Sequence, residues 1–246
     1  MMAAGMTGLG YLAYTSMDMK KNMGSYQMKG ETFMSPLVQQ RVGKTLGYFG
    51  YGIGATGGIV FALRNSMRAA GANPWLLLGG SIASLIATHM IDYETQYPLK
   101  MLAYTGFIGC TALSILPLIQ MSAASVIADA ALATGVTMST LATIAYNAPS
   151  EQFLMWGGAL GIGCGAMMGV SLLSMMVPGS KALFNVWLYG GLVLSGGLVL
   201  YRTQSIIHDA KTVQNYDPVT KSVGIYLDAI NMFIRFLMIM QDNKKK

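Results

Sequence analysis

Near its end the chain reads Tyr226-Leu227-Asp228-Ala229-Ile230-Asn231-Met232-Phe233-Ile234-Arg235, an apolar run carrying an acid, an amide and a base. On a helix, Asp228, Asn231 and Arg235 fall at i, i+3 and i+7, one above another on a single face. The surrounding run, 222–240, is long enough to cross a bilayer, which takes about 20 apolar residues. A polar stripe on a membrane helix cannot face hydrocarbon, so it turns inward. The spacing predicts a helix at the centre of a bundle, ringed by others.

The rest of the sequence supplies the ring. Of 246 residues, 53% are hydrophobic and only 11% charged, and mean hydropathy is +0.48. A soluble domain is about one-quarter charged, because its surface must stay wet. Six further apolar runs of spanning length are bounded by charges: 45–63, 75–92, 101–120, 123–146, 152–177 and 184–201. Asn73-Pro74, Pro98, Ala148-Pro149-Ser150-Glu151, Pro178-Gly179-Ser180 and Asp217-Pro218 fall between runs, where a helix should stop or start. The fold class is therefore an all-α integral membrane protein, a bundle of seven transmembrane helices over 45–240 with the last one central. Ahead of it lie a short hydrophobic helix over 1–17 and a polar, basic linker over 18–44, and after it a basic tail over 241–246. The apolar 1–17 run has neither the leading positive charge of a secretory signal nor the arginines of a mitochondrial presequence.

Two runs carry glycine at every fourth residue: Gly50, Gly54 and Gly58 in the first, Gly157, Gly161, Gly165 and Gly169 in the fifth. Such faces admit a close neighbour. They predict packing within the bundle, with an interface between chains as the alternative.

The net charge of +6 has no basic, aromatic-interleaved face behind it, so nucleic acid is excluded as a partner. The basic residues punctuate apolar runs instead, which suits anionic lipid at the loops. Alternation of seven spans puts 18–44 and the loops 93–100, 147–151 and 202–221 on one side, side A. Lys and Arg number nine on side A and six on side B, too close to fix orientation. Seven acids (Asp18, Glu31, Asp92, Glu94, Glu151, Asp209 and Asp217) fall on side A, against Asp242 on side B. They read either as a rim that gathers cations or as ordinary wet loops.

Five ionisable groups fall within or at the ends of spans: His89, Asp129, Arg202, Asp228 and Arg235. At 1.5 Å of rise per residue, Asp228 sits roughly 9 Å below side A, level with His89 and with Arg202, which closes the sixth run. Arg202 either pairs with Asp228 or snorkels to the interface. No metal-ligand spacing joins His89, His208, Cys110 and Cys164. No phosphate loop or nucleophile triad is present, so neither cofactor nor enzyme activity is expected.

Several spaced motifs resemble one family. These are Ala148-Pro149-Ser150-Glu151-Gln152-Phe153-Leu154, Tyr189-Gly190-Gly191-Leu192-Val193-Leu194, Tyr201-Arg202-Thr203-Gln204, Tyr216-Asp217-Pro218 and the Tyr226–Arg235 segment. In this order they resemble the transmembrane Bax-inhibitor-motif family, and within it the mitochondrial branch. The resemblance implies seven helices with the last central, an inner mitochondrial membrane location, and a proton-sensitive calcium leak or calcium/proton exchange. In the family, carboxylates on the sixth and seventh helices share a proton, and a second-helix arginine takes part in gating. Asp228 matches the seventh-helix acid. Arg202 stands where the family writes the acid of Tyr-Asp-Thr-Gln, and His89 aligns with the second-helix arginine. Arginine does not titrate in proteins, so the shared-proton switch has lost its second acid. Two readings stay open. Either transport of calcium and protons persists with His89 titrating, or the core is a locked ion pair. The chain then serves as a scaffold or subunit of an inner-membrane assembly, in cristae or respiratory-complex organisation.

Overall fold

A computed structural model describes residues 35–66, 71–148, 152–177 and 179–244. They form seven helices: α1 (Pro36–Leu63), α2 (Pro74–Met90), α3 (Tyr97–Gln120), α4 (Ala124–Asn147), α5 (Gly157–Met176), α6 (Lys181–Thr212) and α7 (Pro218–Lys244). A 3₁₀ turn at Leu154–Trp156 leads into α5, and Val186–Gly190 is a π-helical turn within α6. Six helices are long and apolar enough to cross a membrane, while α2 is apolar but has 17 residues, about 25 Å. The expected 1–17 helix lies outside the described residues, as does the linker up to 34.

Helix starts follow the anticipated punctuation. Ser35 caps α1 ahead of Pro36, and Asn73 Oδ1 accepts from the Trp75 amide (3.0 Å) ahead of Pro74. Asp217 Oδ1 accepts from the amides of Val219 (3.1 Å) and Thr220 (3.2 Å) ahead of Pro218. Each satisfies an orphan donor of the first turn, and proline at the first position sacrifices no bond. Gly179, with φ +89°, makes the tight reversal into α6, a conformation costly for any residue with a Cβ.

Helix ends are where the structure departs from the expected spans. α1 starts at Pro36 rather than 45, and α6 runs to Thr212 rather than 201. Charge had marked both ends. In the structure other charges of the flanking polar segments bind protein: Arg41 donates to the carbonyls of Ala210 (3.0 Å), Val213 (2.7 Å) and Gln214 (2.8 Å), capping α6 from α1. Lys221 on α7 pairs with Asp209 on α6. The two helices extend past the apolar layer because their last turns are tied together there.

α7 is central. It packs on α1, α4 and α6 and also touches α2 and α3, and Val219, Ser222, Tyr226, Met232 and Leu237 are fully or almost fully buried. α5 is peripheral and packs on α6.

The glycine stripes face the other way from expectation. A Cβ at Gly50, Gly54, Gly58, Gly161, Gly165 or Gly169 would meet nothing within 4 Å, and only Gly157 touches a neighbour, Tyr201. The packing glycine of α1 is Gly52, roughly 200° around the helix from Gly50. A Cβ there would lie 2.7 Å from the Tyr104 hydroxyl and 3.0 Å from Tyr226. α5 meets α6 through Gly163, against Leu194 at 2.7 Å. Spacing by four identifies a face but not its direction.

Candidate ion-pair site in the membrane core

Arg202 and Asp228 meet, with Arg202 Nε 2.5 Å from Asp228 Oδ2. The aspartate side chain is 4% exposed and the arginine 36%. Neither contacting atom makes a directed hydrogen bond, so the contact is chiefly Coulombic. Arg202 stands ten residues before the end of α6, and Asp228 ten residues after the start of α7. Both counts give about 15 Å along the helix axes from those ends, which themselves reach past the apolar layer. Of the two expected outcomes for Arg202, pairing with Asp228 is the one the structure shows.

A feature that sequence reasoning missed makes the pair fit. The Arg202 guanidinium lies across Gly224, one turn before Asp228, where a Cβ would stand 2.8 Å from its Cζ. A glycine four residues ahead of the buried acid was the available signal. The same arrangement recurs in reverse along the antiparallel seam of α6 and α7. Arg235 of α7 lies across Gly191 of α6, with its Cζ 2.6 Å from where a Cβ would be. Each arginine stands eleven residues after the glycine that its own helix offers. The seats differ in one respect: four residues beyond Gly224 is Asp228, and four beyond Gly191 is Ser195.

Of the polar stripe on α7, Asp228 and Arg235 are buried, while Asn231 is exposed. Asn231 holds Arg235, whose Nη1 donates to its backbone oxygen (3.1 Å) and Oδ1 (3.3 Å). His89 does not join the site. It is exposed on the outer face of α2, with Nδ1 2.9 Å from the Leu85 carbonyl. The buried position is its neighbour Thr88, whose carbonyl accepts from Thr220 of α7 (3.4 Å). One residue of helix is 100° of rotation, enough to turn the imidazole outward. Asp129 is exposed, five residues into α4 from side B.

Toward side A, the acidic rim is partly neutralised. Lys100 of α3, with a side chain only 1% exposed, pairs with Asp217 and donates to the Ile91 carbonyl (2.7 Å). Asp217 also accepts from the Thr220 hydroxyl (2.5 Å). Tyr216 shares a 2.6 Å hydrogen bond with Thr45, and burial pushes its phenol above the usual range. These contacts tie the α2–α3 loop and α1 to the start of α7. Asp217→Ala is expected to lower the melting temperature more than Lys100→Ala. The first strands a buried ammonium and uncaps α7, a cost of about 3 kcal/mol or more. The second leaves a partly exposed carboxylate that keeps its amide and hydroxyl donors. Differential scanning of the two variants checks the order.

On another face of α7, Tyr226 and Thr56 share a hydrogen bond (2.8 Å), Ser222 donates to the Tyr104 hydroxyl (3.3 Å), and that hydroxyl donates to the Tyr48 carbonyl (3.1 Å). This face carries no charge. Among the described residues, no three His, Cys, Asp or Glu side chains are grouped to hold a metal ion.

Comparison with known proteins agrees with this architecture. The family described as "Inhibitor of apoptosis-promoting Bax1" matches residues 38–245. Growth hormone-inducible transmembrane protein of Rattus norvegicus is 31% identical over 97% of this chain and 73% of its own length. Bax inhibitor 1 of Bos taurus is 28% identical over 86% of this chain and 90% of its own. Bax inhibitor 1 of Arabidopsis thaliana is 29% identical over 61% of each. With the motifs, the central α7 and a match spanning the whole bundle, the chain belongs to the Bax-inhibitor family of multi-pass membrane proteins.

Proposed function

We propose that the chain is a cation leak or calcium/proton exchange protein of the mitochondrial inner membrane, held closed by its central ion pair. The observation that carries this reading is the buried Arg202–Asp228 contact on the two helices where the family resemblance puts its gating acids. The inner-membrane location rests on that same resemblance to the mitochondrial branch. Arginine keeps its charge at all relevant pH values, so a fixed cation stands at the gate and opposes Ca²⁺ entry. Asp228 is the one acid left to titrate there, and His89, on the outer face of α2, has no part. Ion movement then requires the seam of α6 and α7 to separate at Arg202. Asp228→Asn is expected to change cation flux in liposomes while the protein still folds. Unchanged flux would remove Asp228 from the gate.

A second reading has its own support. Gly50 and Gly57 of α1, where a Cβ would meet nothing within 4 Å, with Ala131 and Gly135 of α4, edge an apolar groove of about 470 Å³ floored by α7. A locked core beside such a groove suits a non-transporting subunit that receives a helix of a larger inner-membrane assembly. Stable co-purification with a large complex supports this reading, and a monomer in mild detergent contradicts it.

A further inference from the structure

Arg235 is 7% exposed and its Nε has no hydrogen-bond partner. The ion pairs Lys100–Asp217, Arg202–Asp228 and Lys221–Asp209 do not include it. A buried, unpaired charge costs several kcal/mol, and in its seat Ser195 stands where the Arg202 seat has Asp228. The second seat is thus built like the first but lacks an anion.

Beside it is a cavity of about 570 Å³ where α5 ends and α6 begins, lined by Ser171, Ser174, Ser180, Lys181, Phe184 and Trp187. Among the described residues, no carboxylate lines it. Trp187 joins the two features: its ring lines the cavity, and the Arg235 guanidinium lies 5.0 Å from its centroid. Phe184 stacks against the same indole at 6.2 Å. Lys181 is the first residue of α6, Trp187 is six residues in and Arg235 nine residues from the end of α7. These counts give depths of roughly 0, 9 and 13 Å from side B, spanning the interfacial layer, where tryptophan is favoured.

We propose that this cavity binds the headgroup of an anionic phospholipid from the side B leaflet. The phosphate lies against the Lys181 ammonium, as a charge-assisted donor favours. The Ser171 and Ser174 hydroxyls, which donate to the Met167 (2.9 Å) and Val170 (2.8 Å) carbonyls without lipid, turn to donate to it. The chain beyond it runs along Phe184 and Trp187, and the bound charge offsets Arg235 behind the indole. The site stands whether or not the protein conducts ions, because it is separate from the Arg202–Asp228 gate.

The test is the melting temperature of the protein in nanodiscs of phosphatidylcholine, with and without phosphatidylglycerol. The anionic lipid is expected to raise it. Lys181→Gln and Ser174→Ala should lose more than half of that rise while melting like the wild type in phosphatidylcholine alone. Lys211→Gln, on the opposite side of the membrane, should keep the rise. Arg235→Gln should remove the rise too, and Lys181→Gln decides the matter if that variant does not fold. The proposal is overturned if phosphatidylglycerol gives no rise, or if Lys181→Gln keeps all of it. It is also overturned if inorganic phosphate added to phosphatidylcholine nanodiscs reproduces the rise, since the ligand is then a free anion.

Discussion

Arg202→Ala is expected to destabilise the purified protein by about 3 kcal/mol, and Asp228→Asn in the same chain to recover most of the loss. Removing one member of a buried pair typically costs 3–5 kcal/mol, because the other charge is left without compensation. The lower end applies because the Arg202 side chain keeps 36% of its surface exposed. The asymmetry is the informative part. Asp228 is the buried member, so neutralising it alone should cost less than stripping its partner, and the double variant should be milder than Arg202→Ala. Denaturation of the four proteins in one detergent measures the coupling. Equal, additive losses would mean that the two residues do not interact in the folded state.

Gly224→Leu is expected to do comparable damage without touching either charge. Its Cβ would stand 2.8 Å from the Arg202 Cζ, so the arginine must leave its seat over α7. Overpacking of this kind typically costs 1–3 kcal/mol, and loss of the ion pair adds to it. Gly54→Leu is the matched control. A Cβ at Gly54 meets nothing within 4 Å, and the change should fall within about 0.5 kcal/mol in detergent. If both substitutions were equally harmful, helix propensity or the denatured state would be responsible rather than the seat at Gly224.

The legible part of this fold is what lipid imposes. Seven apolar runs, most of them set off by a breaker or cap, emerged as seven helices because a backbone in hydrocarbon has few alternatives. The inward turn of α7 could be read from Asp228 and Arg235 for the same reason, and family motifs pointed to Arg202 as the partner. What stayed hidden was set by tertiary contact. Arg41 and Lys221 fall in polar connecting segments by sequence, yet they hold α1, α6 and α7 together beyond the apolar layer. Burial of Lys100 against Asp217 depends on two loops meeting, which no local pattern encodes. His89 and the glycines at 50, 54 and 58 occupy the right helices but point outward. In a membrane both directions are apolar, so hydrophobic periodicity gives little guidance to rotation.

The central claim is that Arg202 shuts a cation pathway whose acid is Asp228. Calcium flux into liposomes tests it most directly, comparing the wild type, Arg202→Asp and Arg202→Asp with Asp228→Asn. The account predicts low flux for the wild type and a rise of at least about tenfold for Arg202→Asp, the factor that 1.4 kcal/mol of barrier represents. It predicts a return toward the wild-type level for the double variant. If Arg202→Asp folds and conducts no better than the wild type, the pair is not a gate, and the bundle is a structural element of the membrane.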